Sequence, residues 1–344
     1  MGIFSRRAVE TTPLDGVDLI MSDLDGVVYA GAGALPHAVE ALNRARPGRR
    51  LVYITNNASR TDSSVAEHLA QLGLPTAPEE VVTSPQAAMR LLAERIPAGS
   101  TVLVVGGEGL VVEVEKAGFR VTRSAEDSPA AVVQGFAPEV GWLQLAEAAF
   151  ALKVPEEEGG IPWIATNTDW TIPQSRGIAP GNGTLVSAVH TAVGRLATVA
   201  GKPEIPIFEE AVARFGARHP LFLGDRLDTD ILGANRAGIA SALVLTGVDR
   251  PKHVLAAPAG SRPGFILGDL RELEQPYPVA TVVDGVVTVR GARVRVDGAD
   301  VEILSTGEQI DLLRAGAKAI WDTGRAIFGF RVPELLYADP FHRP

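Results

Sequence analysis

The sequence predicts an α/β fold in which a doubly wound parallel sheet is covered by helices on both faces, followed by a small antiparallel β-meander and a closing helix. Two features carry that expectation. Short apolar runs alternate with amphipathic stretches through most of the 344 residues, which is the pattern of strands and helices that build a parallel sheet. From Pro276 onward the pattern changes to alternating apolar and polar residues broken by Asp-Gly pairs, a hairpin signal. At about 150 residues per domain, the length supports two domains and an appendage.

Taken in order, strands are expected near residues 17–22, 50–54, 102–105, 130–134, 162–166, 220–224, 241–245 and 264–267. Amphipathic stretches between them predict helices over 37–46, 64–72, 85–95, 110–117, 141–153, 184–196 and 207–215. The segment VATVVDGVVTVRGARVRVDGADVEIL places Asp284-Gly285 and Asp297-Gly298 between alternating runs, hence a meander, and a helix is expected over 307–327. No repeat period or low-complexity tract is visible.

Composition removes several function classes. A net charge of −9 and a pI near 5.3 argue against nucleic-acid binding, which draws on clustered Lys and Arg. The chain has no cysteine, so disulfides, thiolate metal sites and cysteine nucleophiles are excluded. MGIFSRRAVE lacks an apolar stretch of secretory length, and Arg6 stands where a myristoylation signal wants Ser or Thr. Apolar runs elsewhere are too short to span a membrane, so a cytoplasmic protein is expected.

Three polar clusters follow expected strands: Asp23 and Asp25, then Thr55-Asn56-Asn57, then Gly224-Asp225. Ligands of open α/β sheets bind at the carboxyl ends of strands, so these ends can converge. Carboxylates without histidine at ligand spacing make a hard-oxygen site suited to Mg²⁺. A cation would also relieve the repulsion between Asp23 and Asp25, leaving an ionised Asp able to attack phosphorus. Read singly, each cluster has an ordinary explanation: a solvated turn for the aspartates, a helix cap for Thr55 to Asn57, a loop lysine for Lys202.

In order along the chain, DLDGV, TNN, GKP at 201–203 and GDRLDTD at 224–230 resemble the four motifs of the haloacid dehalogenase superfamily, over roughly residues 14–274. The insert before the lysine, with ATNTDWTIPQSRGIAPGNGTLVSAV, resembles the subgroup with a large α/β cap: nitrophenyl-phosphate, phosphoglycolate, glycerol-phosphate and pyridoxal-phosphate phosphatases. The resemblance implies a catalytic core over 14–97 and 197–274, a specificity cap over 98–196, and an appendage over 275–344 docked on the core or on a partner subunit.

It implies residue roles as well. Asp23 is the nucleophile and a metal ligand. Asp25 lends a backbone carbonyl to the metal and serves as general acid and base. Thr55, the amide of Asn56, Asn57 and Lys202 attend the phosphate, with Lys202 balancing charge. Asp225 binds Mg²⁺, and Asp230 orients the lysine or a metal-bound water. The acid at Asp25 favours phosphoester hydrolysis over dehalogenation. The cap would exclude water and set specificity through loop 167–176, where Trp170, Thr171, Ile172 and Arg176 are candidates; the plainer alternative packs Trp170 on the cap's own sheet.

A small phosphorylated metabolite is the expected substrate, glycerol 3-phosphate first, with 2-phosphoglycolate, pyridoxal 5'-phosphate or broad specificity as alternatives. The sequence itself is silent on oligomeric state; relatives of this subgroup often dimerise through their caps, so the resemblance leaves a homodimer open. The rival of another class is a non-catalytic binding protein on the same scaffold. Asp228 reads as a solvent-facing residue, GGEG at 106–109 as a strand-to-helix turn lacking the dinucleotide fingerprint, and RARPGRR at 44–50 as a solvated helix end.

Overall fold

The computed structural model describes residues 11–174 and 176–341. The first ten residues and Ser175 of the candidate specificity loop lie outside the described residues. The chain forms two units, one from the residues up to Leu51 together with those from Ala217 onward, the other from Val52 to Gly216.

Elements are numbered along the chain. The first unit begins with β1 (Leu19–Ser22), a short hairpin of β2 (Tyr29–Ala30) and β3 (Gly33–Ala34), α1 (Ala38–Ala45) and the first residues of β4 (Arg50–Thr55). The second unit continues β4 and adds α2 (Asp62–Gln71), β5 (Val81–Thr83), α3 (Ser84–Ala93), β6 (Thr101–Val105), α4 (Glu108–Lys116), β7 (Arg120–Thr122) and β8 (Ala131–Gln134). It goes on through α5 (Trp142–Ala151), β9 (Trp163–Ala165), a hairpin of β10 (Thr171–Gln174) and β11 (Gly177–Pro180), α6 (Asn182–Val193), β12 (Thr198–Val199) and α7 (Pro206–Phe215). The chain returns to the first unit with β13 (Pro220–Gly224), α8 (Leu232–Arg236), β14 (Ala240–Val244), α9 (Pro251–Ala256) and β15 (Phe265–Leu267). Then come β16 (Thr281–Val283), β17 (Val286–Val289), β18 (Ala292–Asp297), β19 (Asp300–Ser305) and α10 (Gln309–Trp321).

All eight expected strands are present. The strands absent from the sequence reading, among them β5, β7, β10, β11 and β12, run two to four residues, too few for a periodic signal to register.

In the first unit β15, β14, β13 and β1 lie side by side and parallel. Their apolar residues are buried without alternation, Leu19 to Met21 and Leu221 to Leu223 among them, as a sheet covered on both faces requires. The register pairs Ser22 with Leu223, so Asp23 and Gly224, which follow them, come to the same edge of the sheet. At the opposite end the Asp18 carboxylate accepts the amides of Arg218 and His219 at 2.8 and 2.9 Å, fixing where β13 starts beside β1.

The meander is a four-stranded antiparallel sheet in chain order. Asp284 and Gly285, at φ of 51° and 73°, form the two-residue turn between β16 and β17, a geometry that matches strand twist. Val287, Val289, Ala292 and Val294 of the meander, Leu312, Leu313 and Ile320 of α10, and Leu243, Val254 and Ile266 share one apolar core. Each Val, Leu or Ile among them contributes about 1.5–3 kcal/mol on full burial.

The second unit holds a five-stranded parallel sheet in the order β12, β9, β8, β6, β7. Leu103, Val105, Val132 and Trp163 of its strands pack with Ala148, Leu152, Val186 and Val189 of α5 and α6. β4 and β5 pair in parallel, and β5 passes directly into α3 through a capping box of Thr83 and Gln86. Among the described residues, no helix is long and apolar enough to cross a membrane.

Candidate active site

Within the first unit, the register of β1 on β13 builds a cluster of carboxylates. Asp23 follows β1 and donates its amide to Leu223 of β13 at 2.8 Å, so it emerges beside Gly224 and Asp225. One turn further, Asp230 carboxylate oxygen accepts the amides of Asp225 and Arg226, both at 3.1 Å. Carboxylate oxygens of Asp23, Asp225 and Asp230 lie within 4.8 Å of one another. Asp225 and Asp230 are buried, and Asp23 is 9% exposed.

The surroundings leave no space for bulk at this point. The loop after β14 folds over Asp225, whose side chain accepts the Val248 amide at 2.6 Å and whose carbonyl accepts the Asp249 amide at 3.1 Å. A Cβ built on Gly247 or on Gly26 would overlap the Asp225 carboxylate, and Gly26 also has a φ of +83°. Three clustered carboxylates with no nitrogen or sulfur donor fit a hard divalent cation that takes oxygen ligands.

Asp25 sits on the turn after β1 with its side chain exposed, at a bridge to Tyr29, and the turn is pinned where the Thr246 hydroxyl donates to the Gly26 carbonyl at 2.7 Å. Asp228 is exposed and paired with Arg226 at 2.8 Å, as expected of a solvent-facing residue. Asp249 was not anticipated. Burial pushes its carboxyl above the ordinary range, partly offset by the Leu227 amide, which it accepts at 2.5 Å. The polar TGVD after an apolar strand was the signal that could have found this loop.

The second unit brings Thr55, Asn56 and Lys202 together. Asn56 is the hub: its Oδ1 accepts the Lys202 amide at 2.8 Å and its Nδ2 donates to the Lys202 carbonyl at 3.0 Å. Its backbone carbonyl accepts the Ser84 hydroxyl at 2.7 Å and Asn167 Nδ2 at 2.8 Å. Gly201 has to be glycine, because a Cβ there would press on Asn56 Oδ1 and the Thr166 carbonyl, each 2.6 Å away. Lys202 is 3% exposed.

Thr55 Oγ1 accepts the Asn57 amide at 3.1 Å. Asn57, expected to attend the phosphate, instead turns its Oδ1 to the amide and hydroxyl of Ser59 at 2.8 and 2.7 Å, a local turn on an exposed residue.

In the candidate loop 167–176, Trp170 is 65% exposed rather than packed on the five-stranded sheet of the second unit. Thr171 and Ile172 open β10, with Thr171 exposed and Ile172 half-buried, and Arg176 is exposed at the hairpin turn. Asp169, just before them, was missed: its carboxylate accepts Asn56 Nδ2 at 3.1 and 3.3 Å. Gly107 in GGEG precedes the first turn of α4, the strand-to-helix turn expected of it.

Comparison with known proteins places this geometry. Residues 20–120 match the family model described as haloacid dehalogenase-like hydrolase, and residues 199–273 a second one described as HAD-hydrolase-like. The chain is 43% identical to the D-glycerol 3-phosphate phosphatase of Mycobacterium tuberculosis, over 90% of this chain and 87% of the relative. It is 36% identical to the glycerol-3-phosphate phosphatase of Gallus gallus, over 70% of this chain and 83% of that one. A crystal structure of the glycerol phosphate phosphatase from M. tuberculosis in complex with magnesium superposes with a TM-score of 0.84 at 40% identity, covering 93% of this chain and 94% of that chain.

Proposed function

Because the chain belongs to the haloacid dehalogenase-like hydrolases, we propose that it hydrolyses a small phosphomonoester with Mg²⁺ as cofactor, and that glycerol 3-phosphate is the substrate. The observation that carries the reaction class is the cluster of Asp23, Asp225 and Asp230 at the carboxyl ends of β1 and β13. Support for the substrate is the likeness to two glycerol phosphate phosphatases, one of them matched over nine-tenths of this chain. The phosphatase fold would occupy 14–97 and 197–274, with 98–196 as the specificity cap and 275–344 as an appendage.

In this reading an Asp23 carboxylate oxygen attacks phosphorus and the bond from phosphorus to the ester oxygen breaks, while Asp25 gives its proton to the departing alkoxide. Water then attacks the aspartyl-phosphate, Asp25 takes the water's proton, and inorganic phosphate leaves Asp23 restored. Asp23, Asp225 and the Asp25 carbonyl would hold Mg²⁺, which would supply charge neutralisation on the phosphoryl oxygens. Asp230 orients the Asp225 turn, Thr55 and the Asn56 amide bind phosphate oxygens, and Lys202 balances their charge. Trp170, Thr171, Ile172 and Arg176 contact the alcohol part of the substrate.

A phosphorylated metabolite as substrate supports a cytoplasmic location. A homodimer would cover Trp142, Leu143 and Phe150, which α5 leaves exposed, and sedimentation velocity distinguishes one copy from two. The reaction is tested by phosphate release from glycerol 3-phosphate, 2-phosphoglycolate, pyridoxal 5'-phosphate and nucleoside monophosphates. Expected are a requirement for Mg²⁺, the highest kcat/KM on glycerol 3-phosphate, and a loss of at least about 10³-fold in Asp23→Asn. An Asp23→Asn protein that retains wild-type turnover overturns the mechanism, and higher kcat/KM on another ester overturns the substrate.

A further inference from the structure

The carboxamide of Asn56 is fully specified by its neighbours. The Lys202 amide can only donate and the Lys202 carbonyl can only accept, which fixes Oδ1 toward the first and Nδ2 toward the second. Asn56 therefore grips the backbone of Lys202 at two points. Nδ2 has a second hydrogen to give, and it meets both oxygens of the Asp169 carboxylate, at 3.1 and 3.3 Å. With the carboxylate in place, Asn56 is 9% exposed. A charged acceptor makes the bond stronger than a neutral one.

Asp169 is itself held. Its amide donates to Asn167 Oδ1 at 3.2 Å, and its carbonyl accepts the amide of Gly183 at 2.9 Å. The next residue, Trp170, accepts the Gly181 amide at 2.8 Å and the Thr184 hydroxyl at 2.9 Å. No Cβ fits at Gly181 or Gly183 against the carbonyls of Asp169 and Thr168. The base of the β10–β11 hairpin is thus anchored to the start of α6, and the one carboxylate at that base reaches Asn56.

We propose that Asp169 is a positioning residue for Lys202, acting through Asn56, and that it ties the specificity hairpin to the lysine. The proposal deepens the phosphatase reading and rests on it for the role of Lys202. Asp169 sets the orientation of the carboxamide that grips the lysine backbone.

The experiment is a double-mutant cycle on the full chain with Asp169→Ala, Asn56→Ala and the double variant, assayed by phosphate release and by vanadate binding. Asp169→Ala is expected to lower kcat about 10- to 100-fold, the scale of a misplaced catalytic group, with KM changed less than about threefold. Asp169→Asn, which keeps size and one acceptor oxygen, falls between. In the double variant the Asp169 change adds less than about twofold to the Asn56→Ala loss, because its route to the lysine is already cut. Losses that multiply, or a normal kcat in Asp169→Ala, overturn the proposal. Vanadate binding separates this outcome from failure of the phosphatase reading. If the wild type hydrolyses no ester yet binds vanadate, a weakening of about tenfold in Asp169→Ala upholds the positioning role, and unchanged binding overturns it.

Discussion

The Asp230 carboxylate accepts the backbone amide of Asp225 at 3.1 Å, so the side chain of one buried aspartate fixes the main chain of another. The same oxygen takes the Arg226 amide. Asp230→Ala leaves one buried donor, the Asp225 amide, unmet at about 1–3 kcal/mol, deprives the half-buried Arg226 amide of its partner, and frees the Asp225 turn. The Mg²⁺ concentration for half-maximal phosphate release is expected to rise about 10- to 100-fold, the usual result of losing the support of a metal ligand. Asp230→Asn keeps an acceptor oxygen and should lose less. An unchanged Mg²⁺ requirement in Asp230→Ala would show that Asp225 is held without it.

Gly26 and Gly16 share a left-handed backbone, with φ of +83° and +76°, but only Gly26 faces Asp225, while a Cβ on Gly16 meets open space. Both alanine variants should pay about 1–2 kcal/mol for the conformation. Gly26→Ala alone should also lose Mg²⁺-dependent activity, since its methyl group occupies the position of the Asp225 carboxylate. Comparable activities in the two variants would mean that Asp225 can move aside without consequence for the site.

The legibility of the site followed its physical origin. Asp23 and Asp225 could be read because each ends an apolar run, and adjacent parallel strands bring such ends together at one edge. Asp169 could not, because a lone carboxylate in a polar loop is ordinarily solvated, and its partner Asn56 lies 113 residues away in sequence. Asn57 shows the converse: it belongs to a motif, yet its Oδ1 is engaged by its own turn at Ser59. The meander was legible from its Asp-Gly turns, whereas the two residues of β12 pair only because β9 is already in place.

Asp18 makes stability depend on acid. The Arg218 amide, and then the His219 amide, hold its carboxyl below the ordinary value of 3.8. A depressed carboxyl contributes stability that is fully present above its unfolded value and is lost as pH falls through the lower folded one. The wild type should therefore exceed Asp18→Asn in urea midpoint by a constant margin above about pH 5, and the margin should close as pH drops below the unfolded value. A margin that widens in acid would contradict the bonding of Asp18 to the start of β13.

Arg314 holds α10 to the parallel sheet. From α10 it donates Nε and Nη2 to the Ile266 carbonyl on β15, at 3.0 and 2.7 Å, and Nη1 to Asp311 at 2.9 Å, while Nη2 also bonds Glu272. Its guanidinium lies 4.6 Å from the centre of the Tyr277 ring. Arg314 is 5% exposed and Asp311 1%, so Arg314→Met strands a buried carboxylate at a cost of about 3–5 kcal/mol, eased by Arg290, whose Nη1 lies 3.7 Å from Asp311. Lysine would not substitute, because it lacks the planar fork that spans a carbonyl and two carboxylates. Arg314→Met should speed hydrogen exchange of α10 amides about a hundredfold or more, since each 1.4 kcal/mol is a factor of ten. Adding Asp311→Leu removes the stranded charge and should recover part of that protection. Exchange of α10 that stays at the wild-type rate in Arg314→Met would show that the apolar core under α10 holds the helix without the arginine.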